Sequence, residues 1–156
     1  MKVAVAFDHR GTKLRARILE VLDELGHEAV DLGTDDPDVR VDYPDKAQEV
    51  GDAIADGLAE RGILVCGSGV GASVAACKLD GIRAAICHDV YSAHQGVEHD
   101  DMNVLCLGAE VVGAELAADL VRAYVEARFD GGERYVARLR KVEAMERHRH
   151  GQLETS

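Results

Sequence analysis

Gly62-Ile-Leu-Val-Cys-Gly-Ser-Gly-Val-Gly-Ala-Ser-Val-Ala-Ala76 decides how this chain folds. Ile63, Leu64 and Val65 form an uninterrupted apolar run, which reads as a parallel strand buried on both faces. The run stops at Cys66. Gly67, Gly69 and Gly71 then make a turn, and small residues open a helix. Backbone N–H groups at such a turn point outward, and the helix dipole adds partial positive charge, so an anion is stabilised there. Cys66 places a thiol at the same spot, where thiolate is favoured. A base beside an anion-stabilising loop is the minimum equipment for moving a proton next to a carbonyl. Two other readings stay open. Gly-x-Gly-x-x-Ala after a strand fits a dinucleotide fingerprint, with Asp89 at the end of the next apolar run as the ribose-binding acid. Cys66 also reads as a small core residue.

Outward from this stretch, strands and helices alternate along the chain. Val3–Phe7 is an apolar run that ends in Asp8-His9-Arg10-Gly11. Leu14, Ile18, Val21, Leu22 and Leu25 recur at helical spacing, and Gly26 closes that helix. Glu28–Leu32 is a second strand, and the polar loop 34–44 holds both prolines. Lys46 to Arg61 reads as a helix, with Ala47, Val50, Ile54 and Leu58 on one face. Arg83–Cys87 and Val104–Leu107 are the fourth and fifth strands. A histidine-rich helix or loop, 88–101, lies between them. A long helix follows from about Gly113 to Arg128. A last helix spans Glu133 to Met145 and carries Arg134 and Arg138 on one face, and it reads equally as a solvated amphipathic helix. Residues 1–145 form a single domain, with a frayed polar tail at 146–156.

Short strands joined by helices predict an α/β fold, a Rossmann-like three-layer sandwich with a five-stranded parallel sheet in the order 2-1-3-4-5. In such sheets the ligand sits beyond the carboxyl ends of the strands, at the switch point between strands one and three. Asp8 and His9 end strand one, and Cys66 and Ser68 end strand three, so all four should face one pocket.

The 156 residues fit one domain with a full core, and 47% hydrophobic content argues against disorder. A net charge of −11 argues against nucleic acid as the main partner, because the phosphate backbone would be repelled. A small anion in a locally basic pocket remains allowed. Cys66, Cys77, Cys87 and Cys106 contain no C-x-x-C pair, which predicts reduced thiols in a cytoplasmic protein. The strand-like start at Lys2–Phe7 predicts no signal peptide, and no membrane-length apolar run is apparent. His88, His94 and His99 near Asp89, Asp100 and Asp101 match no tight metal-ligand spacing, so no metal is expected. One of these histidines is better suited to proton transfer. Gly67-Ser68-Gly69 lacks the elbow context of a serine hydrolase, and no Gly-Lys-Ser/Thr ends the loop as in a Walker motif.

Together these residues resemble the ribose-5-phosphate isomerase B family, which includes the galactose-6-phosphate isomerase subunits. The likeness covers about residues 2 to 145. It rests on Asp8-His9-x-Gly11, Asp42-Tyr43-Pro44, Cys66-Gly67-Ser68-Gly69-Val70-Gly71, Gly81-Ile82-Arg83-Ala84 and His99-x-Asp101-x-Asn103-Val104-Leu105. Val111-Val112-Gly113 and the Gly131-Gly132 turn before an arginine-bearing helix add to it. The resemblance implies aldose–ketose isomerisation of a sugar phosphate through a cis-enediolate, without metal or organic cofactor. It makes Cys66 the base that shuttles a proton between carbons 1 and 2. Ser68 and the N–H groups of Gly67, Gly69, Val70 and Gly71 would hold the enediolate oxygen, with help from Asn103. Asp8 would bond the sugar hydroxyls and relay protons between oxygens, His99 would assist ring opening, and Tyr43 would line the pocket. His9, Arg134 and Arg138 would contact the phosphate. It further implies a homodimer with shared active sites, or a tetramer.

Three positions depart from the family pattern. Cys77-Lys78 stands where Asn-Lys is usual, Glu110 where an arginine serves the phosphate, and Tyr135 where a histidine is common. A carboxylate at 110 repels a phosphate dianion. Either Arg10 or Arg140 compensates, or the substrate lacks a phosphate there. Ribose 5-phosphate/ribulose 5-phosphate is the default substrate pair. A different or unphosphorylated sugar or uronate is one alternative, and a non-catalytic nucleotide-binding module is another.

Overall fold

Five strands form one parallel sheet in the computed structural model, which describes residues 1–154. They are β1 (Lys2–Phe7), β2 (Glu28–Asp31), β3 (Arg61–Cys66), β4 (Ala84–Ile86) and β5 (Val104–Gly108). The helices are α1 (Arg15–Glu24), α2 (Tyr43–Ala55), α3 (Val70–Ala76), α4 (Val90–Asp100), α5 (Ala114–Glu126) and α6 (Glu133–Glu154), and a 3-10 turn over Gly11–Leu14 leads into α1. The sheet order is β2-β1-β3-β5-β4. This corrects the expected 2-1-3-4-5 at one edge. Every residue of β5 is buried, whereas the three residues of β4 are each only half-buried. The longer wholly apolar strand takes the interior position, and the short alanine-rich one takes the edge.

Successive side chains alternate between two cores. Val3, Val5, Phe7, Ile63, Val65, Leu105 and Leu107 pack with residues of α1, α4 and α5. Ala4, Ala6, Leu64, Cys66, Val104 and Cys106 pack with α2 and α3. This period of two, with both faces covered, explains why the strands read as continuous apolar runs. Right-handed crossovers place α1 and α4 on one face and α2 and α3 on the other, because the two pairs of connections step in opposite directions along the sheet. The step reverses between β1 and β3, which opens a crevice at their carboxyl ends.

Several boundaries move from the sequence reading. α2 starts at Tyr43, not Lys46: Asp42 is extended and Pro44 fits the first turn, where its missing N–H costs nothing. It ends at Ala55 because Gly57 turns left-handed with φ +74°. Arg61 therefore joins β3, and its guanidinium donates to the carbonyls of Tyr124 and Ala127, tying the end of α5 to the sheet. The stretch 88–101 is largely helical as α4. Residues 146–154, expected as a frayed tail, continue α6. Glu146 accepts the Gly81 N–H at 3.1 Å, and His150 Nε2 lies 2.7 Å from Asp80. Residues 155 and 156 of the expected tail lie outside the described residues. No helix among the described residues is long and apolar enough to cross a membrane.

Candidate active site

The carboxyl ends of β1 and β3 are locked together by backbone. The Asp8 N–H donates to Val65 O at 3.0 Å. Gly11 lies so close to β3 that a Cβ there would collide with the Val65 carbonyl. That contact requires glycine and brings Asp8-His9-Arg10 beside Cys66-Gly67. Asp8 is only 6% exposed, and its Oδ1 accepts the N–H groups of Arg10 at 2.9 Å and Gly11 at 2.8 Å. A buried carboxylate satisfied by backbone donors is held in one orientation.

Cys66 is 5% exposed, and its Sγ accepts the Gly69 N–H at 3.1 Å. Gly69 has φ +81°, a conformation that turns this N–H back toward the sulfur. Ser68 is exposed, and its Oγ accepts the Val70 N–H at 3.2 Å. The end of β5 braces the loop from the other side. A Cβ on Gly108 would stand 2.5 Å from Ser68 O, while Ala109 and Glu110 donate their N–H groups to the carbonyls of Cys66 and Gly67 at 2.9 Å each. The Tyr43 ring lies over Gly71, where a Cβ would be 2.7–2.9 Å from its atoms. His9 Nδ1 accepts the Val41 N–H at 3.4 Å.

Two flanking groups complete this end of the sheet. His88 Nε2 accepts the Gly108 N–H at 3.0 Å, so the neutral ring carries its proton on Nδ1, and burial lowers its pKa. The Arg10 guanidinium lies over Gly67, and the Glu110 carboxylate sits 2.6 Å from Lys13 Nζ and 4.0 Å from Arg10 Nε. The Lys13 contact holds the Glu110 carboxyl below the usual range.

His99, Asn103 and Arg134 lie at the other end of the sheet. α4 starts beyond the carboxyl end of β4 and returns antiparallel over 11 residues, which carries His99 about 15 Å back at ~1.5 Å per residue. His99 stacks on Tyr135, with ring centroids 4.4 Å apart, and its Nδ1 is 2.8 Å from Gln95 Nε2. Arg134 donates to Tyr135 Oη at 2.6 Å, and Arg138 is exposed on the same helix. Asn103 has both ends of its amide engaged: Oδ1 accepts the Arg83 N–H and Nδ2 donates to Gly81 O, each at 2.8 Å. Its side chain thus pins the turn before β4. Asp89 is spent as the cap of α4, accepting the Ser92 N–H at 2.6 Å, which removes the ribose-binding acid from the dinucleotide reading. One chain therefore gathers Asp8, His9, Tyr43, Cys66, Ser68 and the glycine loop, and leaves His99, Arg134 and Arg138 apart from them.

A family model described as ribose/galactose isomerase matches residues 3–142. Ribose-5-phosphate isomerase B of Escherichia coli is 44% identical over 148 residues, covering 95% of this chain and 98% of that protein. D-erythrulose-4-phosphate isomerase of Pectobacterium atrosepticum is 39% identical, covering 85% and 87%. The solved ribose-5-phosphate isomerase B of Clostridium thermocellum is similar throughout, with a TM-score of 0.90 at 42% identity, covering 95% and 99%. The chain belongs to the ribose/galactose isomerase family. It is an enzyme of the aldose–ketose isomerase type on a Rossmann-like α/β fold.

Within the ribose/galactose isomerase pattern, each departure has a local structural setting here. The Cys77 thiol donates to Ala84 O at 3.2 Å, joining α3 to β4. Tyr135 supplies an aromatic face for His99. Glu110 is neutralised by Lys13. The sequence reading missed Lys13, Gln95 and the His88–Gly108 bond. Lys13 and Glu110 share no sequence spacing, so nothing in the primary structure pairs them. Gln95 stands four residues before His99 on the same helix, a spacing that could have been read.

Proposed function

We propose that this isomerase interconverts ribose 5-phosphate and ribulose 5-phosphate through a cis-enediolate, in the cytoplasm. The observation that carries the reading is Cys66 Sγ at the carboxyl end of β3, accepting the Gly69 N–H at 3.1 Å beside the buried Asp8. Cys66, as thiolate, takes the C2 proton of the open-chain aldose. The C–H electrons form the C1–C2 double bond, and the carbonyl oxygen takes the negative charge. Ser68 and the N–H groups of the glycine loop stabilise that oxygen. Cys66 returns the proton to C1, and Asp8 relays a proton from O2 to O1. His9, Arg134 and Arg138 serve the phosphate, and Tyr43 walls the pocket.

A second copy of the chain completes the site. His99 and the two arginines lie at the amino end of their own sheet, so they reach a Cys66 only across a dimer. The unpaired outer edge of β4 supports this assembly. A groove of about 800 Å³ runs along that edge, with Ile82, Ala85, Ile86, Val142 and Met145 among its lining. Cyclic dimers are the commonest closed assembly, and two of them can pair as a tetramer.

Turnover of four- to six-carbon sugar phosphates against the corresponding free sugars tests the reading. Thermal shifts with NAD, NADP, ATP and AMP run beside it. Turnover of ribose 5-phosphate without a nucleotide shift is expected. Faster turnover of free sugars would replace the phosphorylated substrate, and a shift with a nucleotide alone would replace the isomerase.

A further inference from the structure

The glycine loop carries a cation contributed by the loop after β1. A Cβ on Gly67 would lie 3.0–3.1 Å from Nη1, Cζ and Nε of Arg10, so the guanidinium rests on the backbone next to Cys66. The Arg10 backbone is fixed by its N–H bond to Asp8 Oδ1. The side chain is 61% exposed. Among the described residues, neither Nη atom donates a hydrogen bond. Glu110 approaches on the Nε side at 4.0 Å and is itself clamped by Lys13 at 2.6 Å. The three side chains sum to one positive charge at this edge of a chain whose net charge is −11.

We propose that Arg10 is a substrate-binding residue that takes the terminal phosphate of the sugar, with Glu110 and Lys13 positioning its guanidinium. The inference rests on the isomerase reading above. It accounts for Glu110, because the carboxylate becomes the anchor of a cation delivered from the opposite loop. A guanidinium fork matches two phosphate oxygens. Lys13 removes most of the repulsion that Glu110 would otherwise exert on a dianion.

The test compares wild type, Arg10→Ala, Arg10→Lys, Glu110→Gln and the double variant Arg10→Ala/Glu110→Arg. Each is measured by steady-state kinetics with ribose 5-phosphate and by calorimetric binding of inorganic phosphate. Loss of one charge-assisted contact should raise KM and the phosphate Kd by at least about tenfold in Arg10→Ala, with a smaller change in kcat. Arg10→Lys should fall between the two, since a point charge lacks the fork. Glu110→Gln should weaken phosphate binding less than Arg10→Ala does. The double variant should recover most of the loss, because it returns a guanidinium to the same space. Unchanged KM and phosphate Kd in Arg10→Ala would overturn the proposal, as would a loss confined to kcat. Phosphate binding needs no turnover. If wild type isomerises no sugar phosphate yet loses phosphate binding in Arg10→Ala, Arg10 stands as the anion residue and the isomerase reading falls.

Discussion

Single side chains at the carboxyl end of the sheet separate chemistry from packing. Cys66 touches α2 and α3 residues in the core yet ends a strand at the loop. A packing residue would tolerate alanine with a modest stability loss. A proton-transfer base would not, so Cys66→Ala should fold while kcat drops by at least about 10²–10⁴. Rapid turnover by folded Cys66→Ala in a coupled assay would remove this residue from the mechanism. Cys87 and Cys106 differ: burial pushes Cys87 up to about 11 and also raises Cys106, so neither supplies thiolate at neutral pH. Their replacement by alanine should affect stability and leave kcat close to wild type. His88 carries a pH prediction. Its lowered pKa means the neutral ring, which accepts the Gly108 N–H, is favoured by folding. The unfolded chain binds the proton more readily, so this contribution is complete above about pH 6.5 and is lost as pH falls through the lower folded value. The gap in denaturation midpoint between wild type and His88→Ala should narrow from pH 8 to pH 5. A gap that stays constant would show that the bond does not depend on the neutral ring.

Elements are placed by contacts that glycine permits, and these differ in how far they can yield. At Gly108 a Cβ would meet backbone, the Ser68 carbonyl, whereas at Gly71 it would meet the Tyr43 ring, half in solvent. Gly108→Ala should therefore cost about 1–3 kcal/mol, as overpacking does, and shift the loop that holds Cys66. Gly71→Ala should cost less and act by displacing Tyr43, raising KM more than it lowers stability. Urea denaturation of both variants checks the order, and an equal cost would mean the β5–loop contact is soft. These elements were legible to different depths. The five strands and their helices follow from apolar periods, and the pocket follows from where β1 and β3 end. The edge was misread because strand order depends on which run is more fully buried. β4, with its three half-buried residues, and the wholly buried β5 carry that information only weakly. The extension of α6 was missed because its polar residues 146–154 show no apolar period. Its Gly81 and Asp80 partners are contributed by a distant turn.

At the scale of the molecule, the sheet divides the expected site between its two ends. Asp8 and Cys66 follow β1 and β3 at one end, while His99 stacks on Tyr135 beside Arg134 at the other. No rotamer change spans the length of a five-residue strand, about 16 Å at ~3.3 Å per residue. A monomer would thus hold a base without a ring-opening histidine. A two-fold dimer would resolve this, since each interface contact would occur twice and build two equivalent sites. Each site would then combine Cys66 of one protomer with His99 of its partner. Cys66→Ala and His99→Ala homodimers should each be impaired, the second chiefly with substrate that enters as the closed ring. In a heterodimer of the two, one site carries both lesions and the other carries neither. Mixing the impaired proteins under conditions that exchange subunits should restore activity on closed-ring substrate toward half that of wild type per heterodimer. Native mass spectrometry of the mixture reports exchange independently of turnover. Exchange without recovered activity would place Cys66 and His99 of one site on the same chain, and the separation between the two sheet ends would then have to close by a rearrangement within the protomer.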